Sequence, residues 1–451
     1  MTDLSALPAA APAGRRGSLL AQDPLTRRRN AAEARFRLYG IAAITLSMLA
    51  LIWLLYSIFS VGLPAFRQTF ITMPIELPAA KLDKSGNRDP AVMAKVTTVG
   101  YAAVIQTALE KAIATHGIPT EGMSKKEIAG LISLEAPAQL RNHVLANPDL
   151  VGQTIDFEVL ANGRVDGFFK GRVSMESAKL DSNINPAQLE LAEHLVEAGV
   201  MSQRFNWGFI TAPDASDQRP EAAGLGVAII GSFYMMIVVL VLSLPIGVAA
   251  SVYLEEFAPK NRWTDLIEVN IANLAAVPSI VFGILGLAVF INFAGLPQSA
   301  PIVGGLVLTL MTLPRIIIPA RAALKSVPPS IRDAALGIGA SKLQSVFHHV
   351  LPLAAPGILT GMIIGLAQAL GETAPLLLIG MVAFVRDYPG APLSGFFDPA
   401  SALPVQVYSW TTRGDPGFVE RASGAIIVLL VFLLIMNAVA IILRRRFERR
   451  W

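Results

Sequence analysis

Apolar residues run along this chain in unbroken blocks, and the length of those blocks names the solvent. Leu38 to Leu63, Gly224 to Leu254 and Ala422 to Leu443 contain no charged residue, and each is longer than the roughly 18–20 apolar residues that cross a bilayer as one helix. Val269 to Pro314 is also charge-free. Gly295-Leu296-Pro297-Gln298-Ser299-Ala300-Pro301 interrupts it, and that Gly/Pro spacing predicts a tight turn between a third and a fourth span. A fifth span is expected over Val350 to Val385, with Glu372 as its single acid. The pattern therefore predicts six spans.

Between the first and second spans, residues 64–221 change to mixed, near-balanced composition, as expected of a globular insertion. Helical spacing recurs over Lys95 to His116, Lys125 to Leu134 and Pro186 to Gly199. Thr154 to Phe169 reads as a hairpin turning at Asn162-Gly163, a pair suited to a tight primed turn. A small α/β fold is expected. It carries no nucleophile elbow, phosphate-binding glycine loop or metal-spaced triad, so it is read as a lid, spacer or partner-binding surface. Pro245, Pro278, Pro314, Pro319 and Pro375 fall within the later spans; proline removes an intrahelical hydrogen bond and bends its helix, which suggests a bundle that moves.

Charge fixes an orientation, because Lys and Arg resist translocation. Arg15, Arg16, Arg27, Arg28, Arg29, Arg35 and Arg37 precede the first span, and Arg444, Arg445, Arg446, Arg449 and Arg450 follow the last. Both termini are expected on the cytoplasmic side, with 64–221 outside. Lys260 and Arg262, and then Arg321, Lys325, Arg332 and Lys342, fall in the loops this places inside. Residues 1–37 read as a disordered basic tail ahead of a retained anchor, and 446–451 as a second basic tail. Trp53, Tyr56, Trp207, Trp263, Trp410 and Trp451 lie near span ends, as interfacial anchors do.

Composition excludes several classes. With 53% hydrophobic and 16% charged residues, a water-soluble core would leave large apolar patches exposed. The net charge of +4 arises from clusters at membrane boundaries, where topology and anionic headgroups account for it, so no nucleic acid is expected. With no cysteine, disulfides, thiol catalysis and Cys-ligated metals are excluded. His348 and His349 point about 100° apart on a helix and cannot easily chelate one ion.

One polar loop stands out between two apolar blocks. From Ser330 to His349, Ile331, Ala334, Ala335, Ile338, Leu343, Val346 and Phe347 recur at helical spacing, broken by Gly337 and Gly339; a short helix, a bend and a second helix are expected over the loop 321–349. The order Asp333-Ala334-Ala335, Gly339, His349, Leu351-Pro352 resembles the "EAA" loop of binding-protein-dependent ABC transporter permeases, with Asp for the commoner Glu and His349 at a usually apolar position. The resemblance implies a peg seated in a cleft of a separate ATPase and a type I, MetI-like core of five spans over 222–445. No G-x-x-x-x-G-K-[ST] loop occurs, so ATP is expected on partner subunits, with no cofactor of this chain's own.

Gly371-Glu372-Thr373-Ala374-Pro375-Leu376, with Phe209-Ile210-Thr211-Ala212-Pro213, Glu221-Ala222-Ala223-Gly224 and Gly231-Ser232, narrows the resemblance to PstA-type permeases of the phosphate-specific ABC transporter. This implies the bacterial inner membrane and four kinds of company: a PstC-type permease, two PstB-type ATPases, a PstS-type periplasmic phosphate-binding protein and phosphate itself. Many relatives carry Arg where this chain has Gln368, but Arg315 lies in the fourth span. An ionised group at membrane depth costs roughly 2.5–3.5 kcal/mol, which makes Arg315 and Glu372, with Gln368 and Thr373, pathway candidates. In one reading Arg315 donates to phosphate in transit and Glu372 accepts the proton that hydrogen phosphate carries and sulfate lacks. In another, Arg315 snorkels and Glu372 locks a helix pair. A sulfate or molybdate permease, a membrane-anchored sensor and a membrane enzyme are the other classes; the last lacks a visible base–nucleophile pair.

Overall fold

A computed structural model describes residues 24–83, 86–120, 122–382, 384–390 and 393–447. The first helix, α1 (Pro24–Gly62), includes the basic stretch 24–37 expected to be tail. Thr26 to Arg37 contains no Gly or Pro, so nothing stops the helix from running back from the apolar block. Up to Ser57 it stands as its own unit, with Leu46 70% and Trp53 72% exposed, a surface suited to lipid and not to water. Arg15, Arg16 and Trp451 lie outside the described residues.

The insertion is built on a three-stranded antiparallel sheet ordered β2-β1-β3: β1 (Arg67–Glu76), β2 (Thr154–Leu160) and β3 (Met201–Phe205). Ile71, Met73 and Ile75 are buried at period two along β1, against Tyr101 and Leu109 of α2 (Thr98–Thr115) and Leu140 of the helix Ala136–Ala146. Pro74 interrupts the central strand without breaking it. The amide of Thr72 bonds Val200 on the β3 side, so residue 74 faces the same side beyond the last β3 pair at Ile71, where no partner needs its missing N–H.

The expected hairpin over Thr154 to Phe169 does not form. β2 instead pairs with β1, with Phe70 opposite Leu160. Asn162 caps a helix, α3 (Gly163–Phe169), its side chain accepting from the Arg164 amide. Asn is as strong an N-cap as a turn former, and here burial of Val165 decided. The helix expected over Lys125 to Leu134 stops at Ala129, beside Gly130.

The membrane core comprises α4 (Gly226–Val252, ending in a π turn over Tyr253–Phe257), α5 (Arg262–Ala276), α6 (Ser279–Phe293), α7 (Pro301–Ser326), α8 (Pro329–Gly337), α9 (Lys342–Gly371), α10 (Ala374–Leu378), α11 (Leu403–Thr411) and α12 (Pro416–Phe447). The described residues hold five helices long and apolar enough to cross a membrane, or six if α5 and α6 count as one span. That third span is not straight, because α5 and α6 meet at 100°. Pro278, in an extended conformation, cannot donate to the preceding turn. Pro245, Pro314 and Pro319 lie inside helices that remain continuous. The fifth span also ends earlier than expected, at Gly371.

α4, α7 and α9 share a core of Met235, Val239, Val307, Leu308, Met311, Leu366 and Leu370. Small residues set the spacing: a β-carbon on Gly361 would lie 2.5 Å from the Pro319 ring, so only glycine permits that approach between α9 and α7. Trp410 is fully buried, its indole donating to Asp214 at 2.9 Å. It is a core residue and not the interfacial anchor its position in the sequence suggests.

Candidate functional site

Two places gather the residues singled out by sequence. In the first, Arg315 on α7 faces the break after α9. Gly371 closes the helix, Glu372 is extended (φ −77°, ψ 130°), and α10 restarts with Pro375 in its first turn. The restart packs closely on α6, where a β-carbon on Gly283 would sit 2.7 Å from the Pro375 backbone. Glu372 is thus held where two helical segments end and begin, its backbone amide bonded to Ala369.

Arg315 Nη1 lies 3.9 Å from Glu372 Oε1, with the side chains 23% and 19% exposed. That is an ion pair without a hydrogen bond, which needs about 2.7–3.2 Å. Nη1 is buried and has no hydrogen-bond partner among the described residues. Both charges therefore retain donor and acceptor capacity. Gln368, one turn before Glu372 on α9, is exposed, and Thr373 is half-buried; neither side chain joins the pair by a hydrogen bond among the described residues.

The second place is the polar loop. α8 carries Asp333 and Ala334 exposed and Ala335 buried, so the motif presents its acid outward and its second alanine inward. Gly339 adopts φ +91°, and the helix closes with Ala340 N–H on Ala335 O at 3.1 Å and Gly339 N–H on Leu336 O at 3.0 Å. This double closure is the Schellman geometry, and the left-handed residue at its centre is why glycine stands there. Ser341 then caps the second helix in a capping box with Gln344. Leu351 and Pro352 follow the π turn Val346–Val350, half-buried. The expected helix, glycine bend and helix all form. Leu336, Ile338, Leu343 and Phe347 remain between 48% and 84% exposed, an apolar row around an acidic residue.

The sequence reading missed two charge clusters. Arg321 and Arg332, noted only as topology signals, meet Glu255, Glu256 and Glu268. In the insertion, Lys170 Nζ lies 2.7 Å from Asp166 and 2.8 Å from Glu420, while Arg172 Nε lies 2.6 Å from Glu420. Arg421, fully buried, donates to Gln68 at 2.6 Å and to the Glu221 carbonyl at 2.9 Å. Burial pushes the Glu221 carboxyl above its ordinary range, opposed by the hydrogen bond from Ser133 and by Arg421. The available signals were Glu255-Glu256 directly after one apolar block and Glu420-Arg421 directly before another.

Comparison with known proteins accounts for the core. Residues 243–451 match the family of binding-protein-dependent transport system inner membrane components, and residues 23–179 match a domain of unknown function, DUF3333. A probable ABC transporter permease of Bacillus subtilis, YqgI, is 32% identical over 55% of this chain and 86% of its own length. The chain belongs to the ABC transporter permeases, in their PstA-type group. A phosphate transport system permease protein, PstA 2, of Mycobacterium tuberculosis is 31% identical over 56% of this chain and 82% of its own length. A PstA of Xylella fastidiosa is 30% identical over 50% and 77%. Among solved structures, the inward-facing MetNI methionine ABC transporter superposes at a TM-score of 0.38 with 18% identity, over 49% of this chain and 97% of that one. Permeases of this kind are the non-catalytic, multi-pass inner-membrane subunits of transporters whose ATPase and substrate-binding protein are separate partners.

Proposed function

We propose that the chain forms half of a phosphate import pathway, paired with a PstC-type permease, driven by two PstB-type ATPases docked on the loop at Asp333 and fed by a PstS-type binding protein. The PstA-named relatives support the solute. The observation that carries the mechanism is the Arg315–Glu372 pair, 3.9 Å apart with a guanidinium nitrogen unsatisfied. A guanidinium is matched to a phosphate oxygen pair. Glu372 beside it accepts a hydrogen bond from the O–H of hydrogen phosphate and repels sulfate, which has none. A pair present only to lock two helices would close to hydrogen-bond distance, since an unmade buried bond costs about 1–3 kcal/mol.

In this reading residues 64–221 face the periplasm, both termini lie in the cytoplasm, and 222–445 form the pathway domain. The Lys/Arg distribution supports that orientation.

The test is ATP-dependent uptake of labelled phosphate by proteoliposomes holding the complete transporter, challenged with excess phosphate, sulfate or molybdate. Competition by phosphate alone is expected. Competition by sulfate or molybdate would replace the solute and keep the permease. Absence of uptake, with no ATPase co-purifying, would remove the pathway and docking roles proposed for Arg315, Glu372 and the loop at Asp333.

A further inference from the structure

α8 is joined to the fourth span by a weak link. α7 ends at Ser326, and Val327 (φ −69°, ψ 125°) and Pro328 (φ −56°, ψ 138°) are both extended. Pro328 has no N–H to carry a helical bond across the joint. Beyond the link, α8 buries only Ala335 and packs Ile331 against the neighbouring apolar cluster of Val252, Leu324, Val327, Val346 and Val350. Held by this alone, α8 would swivel when pushed.

Arg332 closes the joint. Its Nη2 donates to Glu256 Oε1 at 2.6 Å and its Nε to both Glu256 oxygens at 3.1 and 3.2 Å. The same guanidinium reaches back over the link, Nη2 to Leu324 O at 2.9 Å and Nη1 to Val327 O at 2.7 Å. One side chain thus ties α8 to the last turn of α7, to the link itself and to the π turn that ends α4. The Glu256 side chain is 7% exposed, so the pair is little screened by solvent. The neighbouring acid, Glu255, shares Arg321 of α7 with Glu268 of α5, at 3.4 and 2.6 Å. Four helices therefore meet at two adjacent glutamates.

We propose that Arg332, clamped to Glu256, is the positioning residue that makes α8 move as one body with the ends of the second and fourth spans. A displacement imposed on α8 from the cytoplasmic side then reaches the spans instead of being absorbed at Val327-Pro328. Arg is required over Lys because the clamp uses a planar fork on the carboxylate and two further donors on carbonyls. The proposal rests on the permease reading.

The experiment measures solute uptake and ATP hydrolysis on the same proteoliposomes of the complete transporter, for the parent, Arg332→Ala, Arg332→Lys, Glu256→Gln and the exchange Arg332→Glu with Glu256→Arg. Uptake per ATP hydrolysed is expected to fall roughly tenfold in Arg332→Ala and Glu256→Gln, within the range of ordinary coupling free energies. Arg332→Lys is expected to fall less, and the exchange to recover part of the loss. A ratio that stays at the parent value, or an exchange no better than the single variants, overturns the clamp. If Arg332→Ala does not assemble, Arg332→Lys and the exchange, which keep a charge at each position, decide alone. The two readings fail separately: a parent complex without ATP-driven uptake removes the permease reading, whereas a coupled parent with an unchanged ratio in every variant removes only the clamp.

Discussion

The Lys170 ammonium lies 2.8 Å from the Glu420 carboxylate, 250 residues further along the chain, and both side chains are 3% exposed. One belongs to the inserted sheet domain and the other lies near the start of α12, so the insertion is wired to the last span through a buried charge cluster. Each charge has a second partner, Asp166 for Lys170 and Arg172 for Glu420, so removing one member unbalances the cluster and costs less than the roughly 3–5 kcal/mol of a fully stranded buried charge. Glu420→Gln and Lys170→Met should each lower the thermal unfolding midpoint of the detergent-solubilised protein substantially, and the double variant should cost less than their sum. Additive losses would mean that the two groups do not interact.

Glu372→Gln keeps the shape of the side chain and removes its charge. Loss of one charge-assisted hydrogen bond, worth about 1.5–3 kcal/mol, corresponds to a fall in phosphate uptake of about tenfold or more, with weaker discrimination against sulfate. Unchanged uptake and unchanged selectivity would sink a direct role for the carboxylate.

Gly339 has open space around its missing β-carbon and φ +91°, so substitutions there carry conformational cost alone. Gly339→Ala should destabilise the bend by about 1–2 kcal/mol, and Gly339→Asn less, because Asn tolerates the left-handed region. Retention of the ATPase by the purified complex should follow the order Gly, Asn, Ala. Equal retention by all three would show that the bend is not needed for docking.

Glu221 contributes pH dependence outside the membrane. Its carboxyl is raised by burial, so the folded chain holds that proton more tightly than the unfolded one. The resulting stability is fully present below the unfolded pKa and is lost as pH rises through the folded one. Glu221→Gln should flatten this decline, and a midpoint-versus-pH curve from about pH 5 to about pH 8 with the same slope in both proteins would exclude Glu221 as its source.

Much of the fold was written locally. The loop from Ser330 to Pro352 was legible because an amphipathic helix, a left-handed glycine and a capped second helix each depend on a few adjacent residues. The Asn162-Gly163 hairpin was not, since the same pair serves a turn or an N-cap, and the burial of Val165 together with the pairing of β2 to β1, distant in sequence, selected the second. Gly371-Glu372-Thr373 marked a site, but its place at the end of a helix depended on α6 packing against Pro375.

Block length and the positions of Lys and Arg by themselves determined that this is a membrane chain with a globular insertion, because solvent partition depends on composition over about twenty residues and on little else. Tertiary structure alone decided which charges meet. Arg315 with Glu372, Arg332 with Glu256 and Lys170 with Glu420 are separated by 57 to 250 residues, and an ion pair is set by distances of a few ångströms that sequence spacing does not encode.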